Sequence, residues 1–226
     1  VTPNIDSLIK NGTYFSKAIT HGQSTIPCMS SILTGLYPFE SMSQNEDIFV
    51  INPTVETYIE NLEKFGYDTY ATVQESLSHM GLSQVFKNNF EMYPVTLKTW
   101  TGLGQQIIYK IKENKQREPW FYYLHLYDLY IPMDYETQTD VKELNDNSFG
   151  NSIYERMFSA IDIWIGKILK TIDTKKTIVI ITADHGHEKG AFTESMEKLH
   201  QQNRTVRKHD PGIGFKIGQK IAHKLP

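Results

Sequence analysis

A carboxylate and an imidazole stand side by side at the end of an apolar run. The run TIVIIT (177–182) opens into Ala-Asp-His-Gly, so Asp184 and His185 follow it directly. A β-branched run of this kind is typical of a buried strand, and the turn after a strand can aim adjacent side chains at one ion. A carboxylate and a neutral imidazole supply half of a zinc or manganese site. The alternative is an ordinary Asp-x-Gly turn with a solvated histidine.

The elements that must position this pair alternate between helices and apolar strands. Helical spacing and end signals predict helices near 2–11, 55–62 and 148–172, and aromatic or β-branched runs predict strands at 67–73, 120–126 and 177–182. This alternation predicts an α/β fold with a largely parallel central sheet flanked by helices. Sites in such folds form outside the carboxyl ends of the strands.

Composition sets limits on the partners and the compartment. The chain has 226 residues and a formal net charge of -3, which predicts no nucleic-acid partner. It contains no run of 18 apolar residues, so no membrane segment is predicted within it. Its single cysteine, Cys28, excludes an intramolecular disulfide and slightly favours the cytoplasm, while the oligomeric state stays open.

Six segments occur in the order in which sulfatases and their relatives in the alkaline phosphatase superfamily carry similar ones. They are TPNIDSLIKNGTYFSKAIT (2–20), TIPCMSSILTG (25–35), PTVETYIENLEKFGYDTYAT (53–72), WFYYLHLYDLYIP (120–132), YERMFSAIDIWIGKIL (154–169) and TIVIITADHG (177–186). The chain thus resembles that superfamily over most of residues 2–190. The resemblance implies a partial alkaline-phosphatase-like domain over 1–190, with 191–226 as an irregular basic segment of the same domain.

The resemblance places Thr25 at the position of the nucleophile. Sulfatases carry there a Cys or Ser that becomes formylglycine, followed by x-Pro-Ser-Arg; this chain keeps Pro27 and has Met29 in place of the Arg. Threonine cannot become formylglycine, but it can attack directly once a metal lowers its pKa. The residue pattern alone also allows Thr25 to be a helix N-cap, and the two roles are compatible. Cys28 is expected to be a small buried residue.

The resemblance also implies a divalent metal ion, with zinc or manganese favoured over calcium or magnesium. Its ligands would be Asp184, His185, Thr25 and His223, with His209 as a rival to His223. Relatives place a further acidic ligand at the end of a strand before the first helix, and this sequence starts at that helix. The fold is therefore expected to be incomplete at both ends.

The residues expected to bind the substrate are Tyr130, Lys224 and His187. Tyr130 stands where relatives have an anion-binding or acid-base histidine, and a phenol can still donate a hydrogen bond to a phosphoryl oxygen. His187 is interpreted as a residue close to the metal, and Lys224 follows the candidate ligand His223.

Other positions are expected to serve structure. Gln74 and Glu75 replace the Gly-Lys with which sulfatases hold the sulfate. His125 is interpreted as a core-facing or satisfied histidine, and Asp162 as a structural hydrogen-bonding residue of the long helix.

These features predict a metal-dependent hydrolase or transferase that cleaves phosphate esters, and less readily sulfate esters, through Thr25. Its substrate would be a small molecule or a glycan-linked or lipid-linked ester. The alternative is a catalytically inactive or truncated family member that acts as a binding or assembly domain. Tyr130, Gln74 and the missing first strand favour that alternative.

Overall fold

The computed structural model describes residues 2–45, 48–86, 89–113, 118–129 and 142–186. The chain divides into two compact units, Val1–His185 and Gly186–Pro226. The elements below all belong to the first unit. The predicted boundary at residue 190 between the domain and its basic segment stays a prediction.

The described elements alternate between helices and strands. The helices are α1 (Pro3–Asn11), α2 (Thr25–Thr34), α3 (Pro38–Ser41), α4 (Tyr58–Lys64), α5 (Leu82–Val85), α6 (Leu103–Glu113), α7 (Lys142–Asn145) and α8 (Ile153–Leu169). The strands are β1 (Met42–Asn45), β2 (Ile48–Ile51), β3 (Asp68–Gln74), β4 (Phe90–Tyr93) and β5 (Trp120–Leu124). Short 3₁₀ turns cover Glu75–Met80, Thr99–Thr101 and Asn147–Phe149.

Three of the strands form a parallel sheet in the order β4-β3-β5, with β3 in the centre. Thr72 of β3 lies opposite Leu124 of β5, and the next residue, His125, donates its backbone N–H to the Thr72 carbonyl (3.0 Å). Strands β1 and β2 form a separate antiparallel hairpin. The predicted α/β fold with a parallel sheet flanked by helices is confirmed.

The main core lies between this sheet and α2, α4 and α5. Met29 and Leu33 of α2 are fully buried there, and they pack with Ile59 of α4 and with Ala71 and Val73 of β3. Burying each large apolar side chain stabilises the fold by about 1.5–3 kcal/mol relative to leaving it exposed. Helix α2 is therefore held against the sheet by its apolar face, and its first residue is Thr25.

The buried strand predicted at 177–182 is wrong. These residues are neither helix nor strand, and the side chains of Ile178 and Ile180 are 89% and 80% exposed. An apolar run becomes a buried strand only where a neighbouring strand supplies backbone partners and other elements cover its side chains. Among the described residues, no strand is hydrogen-bonded to this run.

Two predicted helices begin later than their apolar spacing suggested. Helix α4 starts at Tyr58 rather than Val55, because Thr57 forms a capping box with Glu60. The predicted long helix is confirmed but shorter: Ser152 accepts a hydrogen bond from the Glu155 N–H (3.2 Å), which starts α8 at Ile153. No helix among the described residues is both long and apolar enough to span a bilayer.

Asp162 joins the first helix to the last, as its predicted structural role requires. Its fully buried carboxylate accepts hydrogen bonds from the backbone N–H groups of Asn4 (3.1 Å) and Ile5 (2.8 Å) and from the Asn4 side-chain amide (2.8 Å). These are N–H groups of the first turn of α1, which otherwise lack partners within the helix. A side chain of α8 thus caps α1 across 158 residues of sequence.

Candidate active site

Thr25 and His185 meet although 160 residues separate them in sequence. The Thr25 hydroxyl oxygen, Oγ1, lies 3.3 Å from His185 Nε2. Thr25 is the first residue of α2, and Ser24 occupies the N-cap position. The expectation that Thr25 itself is the N-cap is therefore off by one residue. The hydroxyl still lies at a helix N-terminus, where unpaired N–H groups favour negative charge.

The Asp184-His185 pair is anchored to the segment that leads into α2. Thr20 donates its hydroxyl to the Asp184 backbone carbonyl (2.7 Å). The Asp184 carboxylate accepts the His185 backbone N–H through Oδ1 (2.9 Å), while Oδ2 lies 3.5 Å from His185 Nε2. Both side chains are half-buried, so the histidine is not the solvated one of an ordinary turn.

Three donor atoms converge at this point: Thr25 Oγ1, His185 Nε2 and Asp184 Oδ2. The Nε2 atom is 3.3 Å from the first oxygen and 3.5 Å from the second. Two ligands each about 2.0–2.1 Å from a tetrahedral zinc ion lie about 3.3–3.4 Å apart. The donor types and these two separations therefore fit two edges of a metal site that meet at Nε2. Within the described residues, no three His, Cys, Asp or Glu side chains are grouped to hold an ion, so this set is a partial one.

His125, interpreted from the sequence as a core-facing or satisfied histidine, is influenced by the charges of the Asp184-His185 pair. It follows β5, and its imidazole is close enough to Asp184 and His185 to feel their charges. Burial lowers the pKa of His125, the Asp184 carboxylate raises it and His185 lowers it further. The predicted strand 120–126 placed His125 within the strand, whereas the observed β5 ends at Leu124, so His125 lies at the edge where site residues collect.

Tyr123 links His125 to α2. Its phenol oxygen lies 2.9 Å from His125 Nδ1 and 3.0 Å from Met29 Sδ. Burial raises the pKa of Tyr123, and the charge of Asp184 is among the smaller causes acting in the same direction. The prediction that His125 is hydrogen-bonded is confirmed, but its partner belongs to the site.

The positions where α2 departs from the sulfatase pattern are filled by core residues. Met29 is fully buried in the main hydrophobic cluster, a setting in which an arginine would need a partner for its charge. Cys28 is also buried, as predicted, and lies 3.1 Å from the Thr20 hydroxyl.

Gln74, the last residue of β3, is buried too, and its side-chain oxygen accepts the Ser76 backbone N–H (2.8 Å), which caps the turn after β3.

Several predicted site residues lie outside the described part of the chain. They are the metal-ligand candidates His209 and His223 and the substrate-binding candidates Tyr130, His187 and Lys224. Their roles stay predictions. Of the predicted site residues that the structure describes, Thr25, Asp184 and His185 are brought together.

A comparison with known families identifies the family of the chain. The family model described as Sulfatase matches residues 1–213. No curated protein matches the chain. Because the match spans most of the sequence, the chain belongs to the sulfatase family, within the wider alkaline phosphatase superfamily. Members of this family are ester hydrolases that generally use a divalent metal ion.

Proposed function

We propose that this chain is a metal-dependent hydrolase or transferase that cleaves phosphate esters, and sulfate esters less readily, with Thr25 as its nucleophile. The observation that carries the proposal is the approach of Thr25 Oγ1 to His185 Nε2 at 3.3 Å, beside the Asp184 carboxylate. Family membership supports ester hydrolysis. The choice of phosphorus rests on Thr25, because a threonine cannot supply the formylglycine of a true sulfatase.

Asp184 and His185, with Thr25 itself, would hold the divalent ion in the proposed site. A zinc or manganese ion bound there would lower the pKa of the Thr25 hydroxyl and stabilise negative charge on the ester oxygens. The N-terminus of α2 favours the alkoxide in the same sense.

In the proposed reaction Thr25 Oγ1 attacks the phosphorus atom in line with the leaving oxygen. Thr25 Oγ1 gives up its hydroxyl proton as it bonds to phosphorus. The bond between phosphorus and the leaving oxygen breaks, and that oxygen takes the electron pair and a proton to become the alcohol, which leaves the phosphoryl group esterified to Thr25. Water then attacks the same phosphorus, the bond to Thr25 Oγ1 breaks and the hydroxyl is restored. In a transferase, a hydroxyl of a second substrate takes the place of that water.

A panel of chromogenic esters tests this proposal. The purified chain is assayed with nitrophenyl phosphate, bis(nitrophenyl) phosphate and nitrophenyl sulfate, with Zn²⁺ or Mn²⁺ added to separate samples. The proposal predicts metal-dependent hydrolysis of at least one phosphate ester at a higher kcat/KM than the sulfate. Absence of hydrolysis, together with absence of bound metal, would instead support a silent family member with a binding or assembly role.

A further inference from the structure

His125 is held by its surroundings at both backbone and side chain. Its backbone N–H donates to the Thr72 carbonyl of β3 (3.0 Å), and its carbonyl accepts the Tyr93 hydroxyl of β4 (2.5 Å). The ring lies between those of Tyr123 and Tyr127, with centroid distances of 6.2 and 6.4 Å. A side chain fixed in this way is preorganised for one contact rather than free to sample many.

The hydrogen bond to Tyr123 determines which ring nitrogen carries the proton. The phenol has one proton and two neighbours, His125 Nδ1 at 2.9 Å and Met29 Sδ at 3.0 Å. An sp² nitrogen is a much better acceptor than a thioether sulfur, so the phenol donates to Nδ1. The neutral imidazole then carries its hydrogen on Nε2, and among the described residues Tyr123 is the hydrogen-bond partner of the ring.

Tyr123 connects His125 to the helix that carries the candidate nucleophile. Met29 follows Thr25 by four residues in α2, so both lie on one face of that helix, about one turn apart. The contact of Tyr123 with Met29 therefore brings the Tyr123-His125 pair against the face that carries Thr25. The pKa of His125 also responds to Asp184, which raises it, and to His185, which lowers it, against a larger lowering by burial.

We infer that His125 donates a hydrogen bond from Nε2–H to a non-bridging oxygen of the tetrahedral oxyanion bound at Thr25, and that Tyr123 is the positioning residue that fixes this tautomer. The inference rests on the proposed function, since the oxyanion is the phosphate or sulfate group of the substrate. A neutral donor aimed at these oxygens stabilises an anion and the charge that develops on it during transfer.

Inorganic phosphate is the probe that tests this inference without turnover. Its affinity is measured by calorimetry on metal-loaded wild type, His125→Ala and His125→Gln, because the glutamine amide can keep a donor near the position of Nε2. We expect His125→Ala to weaken phosphate binding about 10- to 100-fold, as loss of a hydrogen bond to a charged group does. His125→Gln should recover most of that loss, with all three proteins melting at similar temperatures.

Two further variants test the role of Tyr123. Tyr123→Phe removes the donor to Nδ1, so we expect weaker phosphate binding by several-fold and a change of the His125 ¹⁵N chemical shifts from the pattern of a single Nε2–H tautomer to that of a mixture. Tyr122→Phe is the matched control, because the phenol of this neighbouring residue of β5 lies 2.8 Å from the Thr72 hydroxyl instead, and it should leave both readouts unchanged. A tautomer carrying its proton on Nδ1 in the wild type would overturn the inference.

The outcomes separate this inference from the proposed function. If the wild type hydrolyses a phosphate ester and His125→Ala binds phosphate as the wild type does, the inference is wrong and the proposed function stands. A His125→Gln protein as impaired as His125→Ala also contradicts it, because the side chain then acts through packing. If the wild type binds phosphate through His125 but hydrolyses no ester, the proposed function fails alone.

Discussion

His185 Nε2 lies 3.3 Å from Thr25 Oγ1. His185 follows the exposed apolar run 177–182, and Thr25 is the first residue of α2, which packs into the main core. Neither residue has a neighbour in sequence that explains the contact. The Thr20 hydroxyl donates to the Asp184 carbonyl and so holds the Asp184-His185 pair beside the segment that leads into α2. The contact between Thr25 and His185 therefore depends on tertiary structure.

Thr25→Ala should abolish most activity, whereas Thr25→Ser should retain it. Alanine removes the nucleophilic oxygen, and we expect kcat to fall by a factor of about 10³ or more, as for other covalent nucleophiles. Serine keeps a hydroxyl at the same helix position. Steady-state kinetics with the best phosphate ester measures both. Thr34→Ala, at the other end of α2, is the matched control and should leave kcat within about twofold of the wild type.

Asp184→Ala should release the divalent ion. The substitution removes one of the two side chains proposed as strong ligands, and loss of a ligand lowers metal affinity steeply. The measurement is metal content by elemental analysis after dialysis, with the wild type expected to retain one or more ions per chain. Asp173→Ala, at an exposed turn, is the control and should bind as the wild type does. Equal metal content in the wild type and Asp184→Ala would contradict the ligand role.

Asp162→Ala should destabilise the fold by about 3 kcal/mol. It leaves the Asn4 and Ile5 backbone N–H groups and the Asn4 amide without their buried acceptor, and each unpaired group costs about 1 kcal/mol or more. Urea denaturation measures the loss as a lower midpoint. Asp6→Ala, on the exposed side of the same helix α1, should change the midpoint little. If both variants unfold at the wild-type midpoint, the link between α1 and α8 contributes no stability.

Asp128 should make stability depend on pH. Its buried Oδ1 accepts from the Thr99 N–H (2.6 Å) and hydroxyl (2.8 Å), and Oδ2 is buried without a partner among the described residues. Burial raises the pKa of Asp128 above its ordinary value of 3.8, against the opposing effects of the Thr99 hydrogen bonds and of Lys98. The folded protein therefore holds this proton more tightly than the unfolded chain does.

The sign of the pH effect follows from that order of pKa values. The stabilising contribution of the protonated carboxyl is complete below pH 3.8 and is lost as the pH rises through the raised folded pKa. Asp128→Asn should lack this loss. Relative to the wild type it should gain up to about 1.4 kcal/mol of unfolding free energy per pH unit across the window. A difference between the two proteins that does not vary with pH would contradict the assignment.

The sequence was sufficient to predict the parallel sheet, α1, α8 and the proximity of Thr25 to the Asp184-His185 pair. Local composition predicts strands β3 and β5, and in the structure both are paired in the parallel sheet. The run 177–182 has the same composition but lacks a paired strand among the described residues, so propensity alone gave a wrong strand. Composition reports what a segment can form, and pairing decides whether it forms.

His125 shows the limit on the prediction of the site. Its sequence surroundings are apolar and aromatic, which favours a core histidine. Its proposed role depends on the phenol of Tyr123, and its pKa responds to Asp184 and His185, which lie about 60 residues away along the chain. Contacts between groups so far apart in sequence are set by packing, and no local pattern encodes them.

Covalent trapping at Thr25 tests the central claim most directly. The metal-loaded chain is incubated with bis(nitrophenyl) phosphate or nitrophenyl phosphate, quenched in acid and digested, and the peptide containing Thr25 is sequenced by mass spectrometry. The account predicts a phosphoryl or nitrophenyl-phosphoryl group on Thr25 in the wild type and none on any residue of Thr25→Ala. Two results would contradict a nucleophilic Thr25: a modification on another residue while the ester is turned over, or equal turnover by the wild type and Thr25→Ala.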